Sequence, residues 1–497
     1  MAPNTRPNIL VFCADQMQSY CLGCNGHPDV KTPNLDALAA RGVNFRRGYC
    51  NNSVCMPSRA TMVTGLTPRG HGLLTNGCKL STSVPTIGGA LQEAGYATHA
   101  VGKIHLQPFS GGEDSLEGLV PWNNGDITEL PPNYYGFQTT DYVGGHVSYV
   151  FGRYRQWLER EHPGVHALYD GEHAYLRRGE AWRMEVPAEL HYNQWIADRA
   201  SAFLARQDEQ PFYLFCSFPD PHHPFAACRP YSEMYDPGSL TLPPSWREPT
   251  GFHPLPDGNR GGTWQPPEDE ADMREIMAQT YGMITHVDAC VGQVLQELEK
   301  SGKADNTVVA FIADHGEYLG AHNLLHKGSW PVEELWRVPF IWSDPRSAAG
   351  GATVDDPVSM LDLVPTVADL AGLPDGWHTM RGTAPPKTQP LPGTSLRSYL
   401  AGRKNVEPHP ALMEFDEDWH EGTPLCRLRG VIDGDWKLVT YAGYRDGILI
   451  DLKNDPHERH NLWNDPASQQ RKCELLTILA ERTAASDRFD TYRLCGA

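Results

Sequence analysis

Four short apolar runs stand out along the chain, and each ends on residues able to hold a charge or a metal. Asn8-Ile-Leu-Val-Phe-Cys-Ala14 leads into Asp15-Gln16, and Tyr96-Ala-Thr-His-Ala-Val-Gly102 leads into Lys103-Ile-His105. Pro211 to Phe218 leads into Asp220-Pro-His222-His223, and Asn306 to Ala313 into Asp314-His315. Such continuous runs predict buried parallel strands. Apolar residues at helical spacing predict helices between them. Leu35, Leu38 and Ala39 follow Thr32-Pro33 and stop at Gly42; further helices are expected over Ser83 to Gly95, Tyr192 to Gln207, Glu268 to Lys300 and Ser359 to Leu370. The alternation predicts an α/β fold with a large mixed, mainly parallel sheet and helices on both faces. Sheets of this class bind ligands at the carboxyl ends of their strands.

Past residue 393 the pattern turns to hairpins. Arg429 to Ile432 and Trp436 to Tyr441 flank Asp433-Gly434, a strong hairpin signal, Gly447 to Leu452 adds a strand, and a helix follows from about Ala467 to Ala484. With a linker at 380–393, this predicts a catalytic domain over 1–385 and a smaller C-terminal α/β subdomain with an antiparallel sheet over 394–497. Residues 107–190, rich in Gly, Pro, Trp and Tyr, read as an insertion of loops and short helices that sets substrate specificity. Glu414 to His420 is expected to shape the outer pocket.

Composition narrows the partners. A formal charge of −19 argues against nucleic acid or an anionic membrane, so an anionic substrate needs a local cluster of cations. No apolar run is long enough to cross a bilayer and no signal-peptide pattern opens the chain, so a cytoplasmic location is expected. The twelve cysteines are scattered without a disulfide framework, and Cys21-Leu-Gly-Cys24 lacks a second pair at zinc-finger distance. Oligomeric state is not legible.

The stretch Asn51 to Gly65 carries the candidate chemistry. Ser53 and Pro57 mark the start of a helix, which places Cys55 at a helix N-terminus, where anions are stabilised, with Arg59 one turn on. A lone cysteine is usually just a small buried apolar group. A cysteine-dependent phosphatase does not fit, because its loop needs a longer cysteine–arginine spacing than the one from Cys55 to Arg59. What raises Cys55 above the bland reading is the set of strand ends, Asp15-Gln16, Lys103-x-His105, His222-His223 and Asp314-His315: together they form an electropositive pocket with a metal at its base.

Cys55-Met-Pro-Ser-Arg59, with Thr64-Gly65 after it, resembles the sulfatase signature Cys-x-Pro-Ser-Arg. The Pro7-Asn-Ile-Leu10 strand, the Thr32-Pro-Asn-Leu-Asp-Ala-Leu38 helix and Gly102-Lys103 extend the match from about residue 7 to about residue 465. The whole resembles a type I, formylglycine-dependent sulfatase of the alkaline-phosphatase-like superfamily. The resemblance implies that a formylglycine-generating enzyme converts Cys55, and that a divalent cation, usually calcium, is held by Asp15, Gln16, Asp314, His315 and an oxygen of residue 55. Asp15-Gln16 with Asp314-His315 departs from the commonest sulfatase pattern and resembles the choline-sulfatase and phosphonate-monoester-hydrolase branches; histidine also suits manganese or zinc.

The resemblance also implies roles. Asp314 accepts a proton from the hydrated aldehyde, Arg59 holds its alkoxide, and Lys103 and Lys327 neutralise the ester oxygens. His222, in a His-x-Pro motif, protonates the leaving oxygen, and His105 frees the sulfate. Asn76 and His71 are expected on the substrate side. The function implied is hydrolysis of a small-molecule sulfate monoester. The alternative is a phosphonate monoester or phosphodiester hydrolase using the same machinery. A silent sulfate binder would lack some of Arg59, Lys103, His105 and Asp314, and all are present.

Overall fold

Asn8–Ala14 is buried along its whole length and lies at the centre of the main sheet. In this computed structural model the described residues are 6–486, apart from 207, 209, 249–264, 348, 379–389, 404–405 and 418–425. Most of the expected 380–393 linker and the end of the 414–420 segment therefore lie outside the described residues.

The main sheet has nine strands: Asn8–Ala14 (β1), Val43–Phe45 (β2), Ala97–Gly102 (β3), Thr139–Gly144 (β4), Phe151–Gly152 (β5), Phe212–Phe218 (β6), Thr307–Ala313 (β7), Phe340–Ser343 (β8) and Ala352–Val354 (β9). Their order is β9-β2-β8-β7-β1-β6-β3-β4-β5, and the run from β7 to β4 is parallel throughout. β8 runs antiparallel to β7, and β5 antiparallel to β4.

Helices cover both faces. Pro33–Arg41 (α1), Tyr192–Leu204 (α4) and Glu270–Lys300 (α5) pack together on one; Cys55–Thr64 (α2), Ile87–Glu93 (α3) and Leu363–Ala371 (α6) pack on the other. α3 starts later than its apolar spacing suggests because the Thr86 hydroxyl accepts from the Gly89 N–H and fixes the cap there. No helix among the described residues is long and apolar enough to cross a membrane.

The insertion at 107–190 differs from expectation, since it supplies β4 and β5 to the main sheet. β4 is hard to see in sequence because Asp141 interrupts it. That carboxylate is buried and lies near His99, Arg153 and Arg199, whose charges hold its pKa down against the cost of burial.

A four-stranded antiparallel sheet follows: Ala411–Glu417 (β10), Cys426–Asp433 (β11), Trp436–Tyr441 (β12) and Ile448–Asp451 (β13). The hairpin turn is Gly434-Asp435, one residue later than expected, because Asp433 still pairs with Trp436. β10 was not foreseen as a strand. Its Glu414 and Asp416 look like solvated charge in the sequence, but both lie against Arg429 of the neighbouring strand.

Alternate residues of this sheet face two cores. Met413, Phe415, Leu428, Ile432 and Val439 join the main core, while Leu412, Val431, Leu438 and Leu449 pack with Leu475 and Leu479 of the helix Gln469–Ser486 (α7). β10 is also tied to the segment before Cys55: the Glu414 N–H donates to the Asn51 carbonyl at 2.8 Å, and Asn52 Nδ2 donates to the Glu414 carbonyl at 2.8 Å.

Candidate active site

The parallel register levels the strand ends. Ala14 lies opposite Ala313 and Phe218, and Gly102 opposite Ser217 and Tyr142, so Asp15, Asp314 and Lys103 leave the sheet side by side. Gly102 has a φ of 92°, and a Cβ there would stand 1.8 Å from the Ser217 carbonyl oxygen. No side chain fits that gap. Gly102→Ala is expected to lower stability by at least about 1–3 kcal/mol, read as a depressed midpoint in urea; an unchanged midpoint would show that the backbone there can relax.

Helix α2 begins at Cys55 and ends at Gly65 in the left-handed conformation. Asn52 Oδ1 accepts from the Val54 N–H at 2.8 Å, and Asn76 Oδ1 from the Met56 N–H at 3.0 Å. Asn76 thus caps the helix that carries Cys55, and its oxygen is committed to that bond. His71 does not line the site: its Nε2 lies 3.3 Å from the Thr61 hydroxyl and its Nδ1 accepts from the Leu73 N–H, behind the helix.

Arg59 is wholly buried. Its Nε donates to Asp314 Oδ2 at 2.7 Å, and its Nη1 donates to Ser217 Oγ at 2.9 Å and to the Lys103 carbonyl at 3.0 Å. It makes no hydrogen bond to the Cys55 thiol. Its Nη2 has no hydrogen-bond partner and lies 3.5 Å from Asp15 Oδ2.

Lys103 Nζ donates to Asp15 Oδ2, and Lys327 Nζ reaches Gln16 Oε1 at 2.9 Å, Cys55 Sγ at 3.0 Å and His222 Nε2 at 2.9 Å. Cys55 Sγ is 3.1 Å from His315 Nε2 and 3.6 Å from Asp15 Oδ1. Burial and Asp15 push the Cys55 thiol pKa up, but Lys327, Lys103 and His315 outweigh them and leave it below the ordinary value. Burial likewise opposes ionisation of Asp15, yet Lys103 and Arg59 hold its pKa well down.

Two imidazoles have their tautomers fixed by backbone carbonyls, which can only accept. Nδ1 of His315 faces the Gly316 carbonyl at 2.9 Å, and Nδ1 of His222 faces the His223 carbonyl at 2.6 Å. Each Nδ1 therefore carries a proton, and in the neutral ring Nε2 is the lone-pair atom that faces the site; burial opposes charge on His315, but Asp314 and Cys55 outweigh it and raise its pKa. His105 stands slightly apart, stacked on Phe109 with ring centres 3.8 Å apart and with its backbone N–H on Glu117. Burial, then Lys103 and Arg59, push its pKa well below the ordinary value, so it is a neutral base.

Sequence reasoning missed four supporting residues. His146 follows β4, stacks on His222 with centres 3.6 Å apart, and places Nε2 3.0 Å from Lys103 Nζ. It belongs to the row of strand-end residues and was hidden with β4. Ser217, the polar residue within the apolar run Phe212–Phe218, is a signal that could have been read. Glu317 accepts from Gln16 Nε2 and from the His326 N–H, and so holds the loop carrying Lys327; nothing in its sequence context marks it. Asn52 is the fourth.

Burial also makes the protein acid-sensitive. His71 and His286 have pKa values pushed down to about 3 by burial, whereas each titrates near 6.5 when unfolded. Below pH 6.5 the unfolded chain binds the extra protons, so stability is full above that pH and falls as pH drops. At pH 5 each histidine costs about 2 kcal/mol. The melting temperature is expected to fall between pH 7 and pH 5; a flat profile would show that both rings can charge in the folded protein.

Ligand-type atoms of Asp15, Cys55, Asp314 and His315 lie within 4.8 Å of one another. Two carboxylates and an imidazole lone pair, with the Gln16 amide beside them on Lys327, suit a divalent cation.

The family model for sulfatases matches residues 7–373, and the one for the C-terminal part of N-sulphoglucosamine sulphohydrolase matches residues 320–485. The chain is 28% identical over 500 residues to an arylsulfatase of Clostridium perfringens (strain 13 / Type A), covering 95% of this chain and 94% of that protein. It is 28% identical over 504 residues to the multifunctional alkaline phosphatase superfamily protein PehA of Trinickia caryophylli, covering 93% and 92%. The solved phosphonate monoester hydrolase of Agrobacterium radiobacter is similar with a TM-score of 0.79 and 26% identity, over 97% of this chain and 96% of that one. The chain therefore belongs to the sulfatase family of sulfuric-ester hydrolases, within the alkaline-phosphatase-like superfamily.

Proposed function

We propose that the protein hydrolyses a small-molecule sulfate monoester with residue 55 in its formylglycine form. A divalent cation would be held by Asp15, Gln16, Asp314, His315 and residue 55, with calcium first and manganese or zinc as alternatives. The observation that carries this reading is the convergence of Lys327, His315 and Asp15 on Cys55 Sγ, at 3.0, 3.1 and 3.6 Å, at the first residue of a buried helix. When bound, the cation supplies Lewis acidity and lowers the pKa of a hydroxyl on residue 55.

The chain's own residues do the rest. Lys103, on Asp15, and Lys327, on Gln16 and residue 55, neutralise the nonbridging oxygens of the ester. Arg59 orients Asp314 through Nε and leaves Nη2 free of hydrogen bonds for an oxyanion. His222 accepts from Lys327 through Nε2, so the proton for the leaving oxygen comes from the Lys327–His222 pair rather than from a pre-charged imidazole. His105, neutral, serves as the base that releases the product. Asn76 acts through the helix cap it forms, with its amide nitrogen left for substrate.

Cys55 is 1% exposed, so a formylglycine-generating enzyme would meet it only before the chain has folded. The free cysteines of the described residues suit a reducing cytoplasm. Specificity is assigned to 107–190, whose His146 enters the site.

A second reading, hydrolysis of a phosphonate monoester or phosphodiester, is favoured by the likeness to the Agrobacterium radiobacter enzyme. Matched aryl sulfate, phosphate diester and phosphonate monoester substrates separate the two. The highest kcat/KM is expected on the sulfate; a higher value on either phosphorus ester would replace the first reading with the second. Exhaustive chelation is expected to abolish turnover on all of them, with recovery on adding back calcium. Full activity without metal would remove the cation from the account.

A further inference from the structure

Away from the active site, a second group of ligand-type side chains converges between the main body and the C-terminal sheet. His322, Glu334 and Glu458 bring ligand atoms within 4.8 Å of one another. His322 is 3% exposed; its Nε2 has no hydrogen-bond partner and points at Glu334 Oε2, 4.0 Å away, which also has none. An orphaned imidazole nitrogen and an orphaned carboxylate oxygen, both buried, are each costly to leave unmatched.

Charge in this region is also unbalanced. Lys437 Nζ donates to Glu333 Oε1 at 3.1 Å, to the Pro331 carbonyl at 2.7 Å and to Glu458 Oε1. One ammonium thus serves Glu333 and Glu458, and among the described residues the ion pair that reaches Glu334 is the one with His322. Arg337, close by in sequence, donates to the Arg46 carbonyl and the Tyr20 hydroxyl instead. His322 is aimed inward by a left-handed backbone with φ of 54°, followed by Asn323 at 58°, a conformation that residues other than glycine seldom adopt.

We propose that His322, Glu334 and Glu458 form a second divalent-metal site, distinct from the catalytic one and selective for zinc or manganese. One imidazole and two carboxylates favour these ions over calcium or magnesium. The 4.0 Å separation is too long for a hydrogen bond, yet two donors each about 2.0–2.1 Å from a zinc ion can span it. Access comes from a cavity of about 260 Å³ whose wall includes Glu334, His457, Tyr20 and Leu319. The site is a staple. His322 lies in the loop between Asp314 and Lys327, Glu334 in the turn Glu333–Trp336, and Glu458 in the segment after β13, so one ion ties the C-terminal sheet to the loop that presents Lys327.

The test is zinc content per chain after equilibrium dialysis of the full-length protein, measured by elemental mass spectrometry. Wild type is compared with His322→Ala and Glu334→Gln, neither of which touches the catalytic cluster. Each variant is expected to bind one equivalent of zinc less than wild type and to lose the zinc-dependent rise in melting temperature that wild type shows. Should His322→Ala fail to fold, Glu334→Gln, which keeps the shape of the side chain, carries the comparison. Equal zinc content in wild type and a folded variant would overturn the proposal and leave an ordinary water between His322 and Glu334. The subtraction leaves the catalytic metal out, so failure here says nothing against the sulfatase reading.

Discussion

Arg59→Met is expected to remove activity and stability together. The guanidinium is buried between Asp314, at 2.7 Å, and Asp15, at 3.5 Å, and it also fastens Ser217 and the Lys103 carbonyl. Methionine fills much of the volume but leaves Asp314 as a buried carboxylate without its cation. Breaking a buried pair in this way costs about 3–5 kcal/mol, read from urea melts in the presence of a chelator so that no added cation compensates. Turnover is expected to fall on the order of 10³-fold or more, since the change disorders Asp314 and removes an oxyanion donor as well. Arg59→Lys restores charge without the planar fork and is expected to recover stability better than rate. A variant of wild-type stability with only its rate reduced would mean that Arg59 serves substrate alone and does not hold the strand ends together.

Cys55→Ala separates those two effects from the other side. Its Sγ contacts are to Lys327, His315 and Asp15, groups that also hold one another, and the helix cap rests on Asn52 and Asn76 rather than on the thiol. Folding is therefore expected to change by less than about 1 kcal/mol, as for a small substitution that leaves no buried charge newly unpaired. Activity is expected to fall on the order of 10⁶-fold, the cost of removing a nucleophile from an otherwise intact site. Cys55→Ser should be as inactive, because a plain hydroxyl cannot regenerate itself by expelling sulfate. Near-normal turnover by the serine variant would mean that the side chain acts as a simple nucleophile.

The parts of this protein legible in sequence are those where one physical signal dominates. β1, β6 and β7 are buried on both faces and read as continuous apolar runs, so their ends, and with them Asp15, His222 and Asp314, could be placed by rule. Thr32-Pro33 and Gly42 bounded α1 for similar local reasons, although the Thr32 hydroxyl turned out to accept from the Gly23 N–H rather than cap the helix. β4 and β10 were hidden because charged residues interrupt them, and only the fold brings Arg199 and His99 to Asp141 or Arg429 to Glu414. His146 was lost with β4. Asn76 and His71 are hard to read for the opposite reason: both sit near Cys55 in sequence, but a capping bond holds the Asn76 oxygen at the helix start, and His71 is buried against Thr61 and the Leu73 N–H. Sequence order shows which strand end a residue follows. Which neighbour its side chain meets depends on packing among elements far apart in the chain.

The central claim is that residue 55 acts as formylglycine within the Asp15, Lys327 and His315 cluster. Mass spectrometry of the peptide spanning Cys55, from protein whose activity has been measured on the same sample, tests it most directly. The prediction is that specific activity rises in proportion to the fraction of that peptide carrying an aldehyde in place of the thiol, and is absent in Cys55→Ser. A fully active preparation in which every copy of the peptide retains its thiol would contradict it.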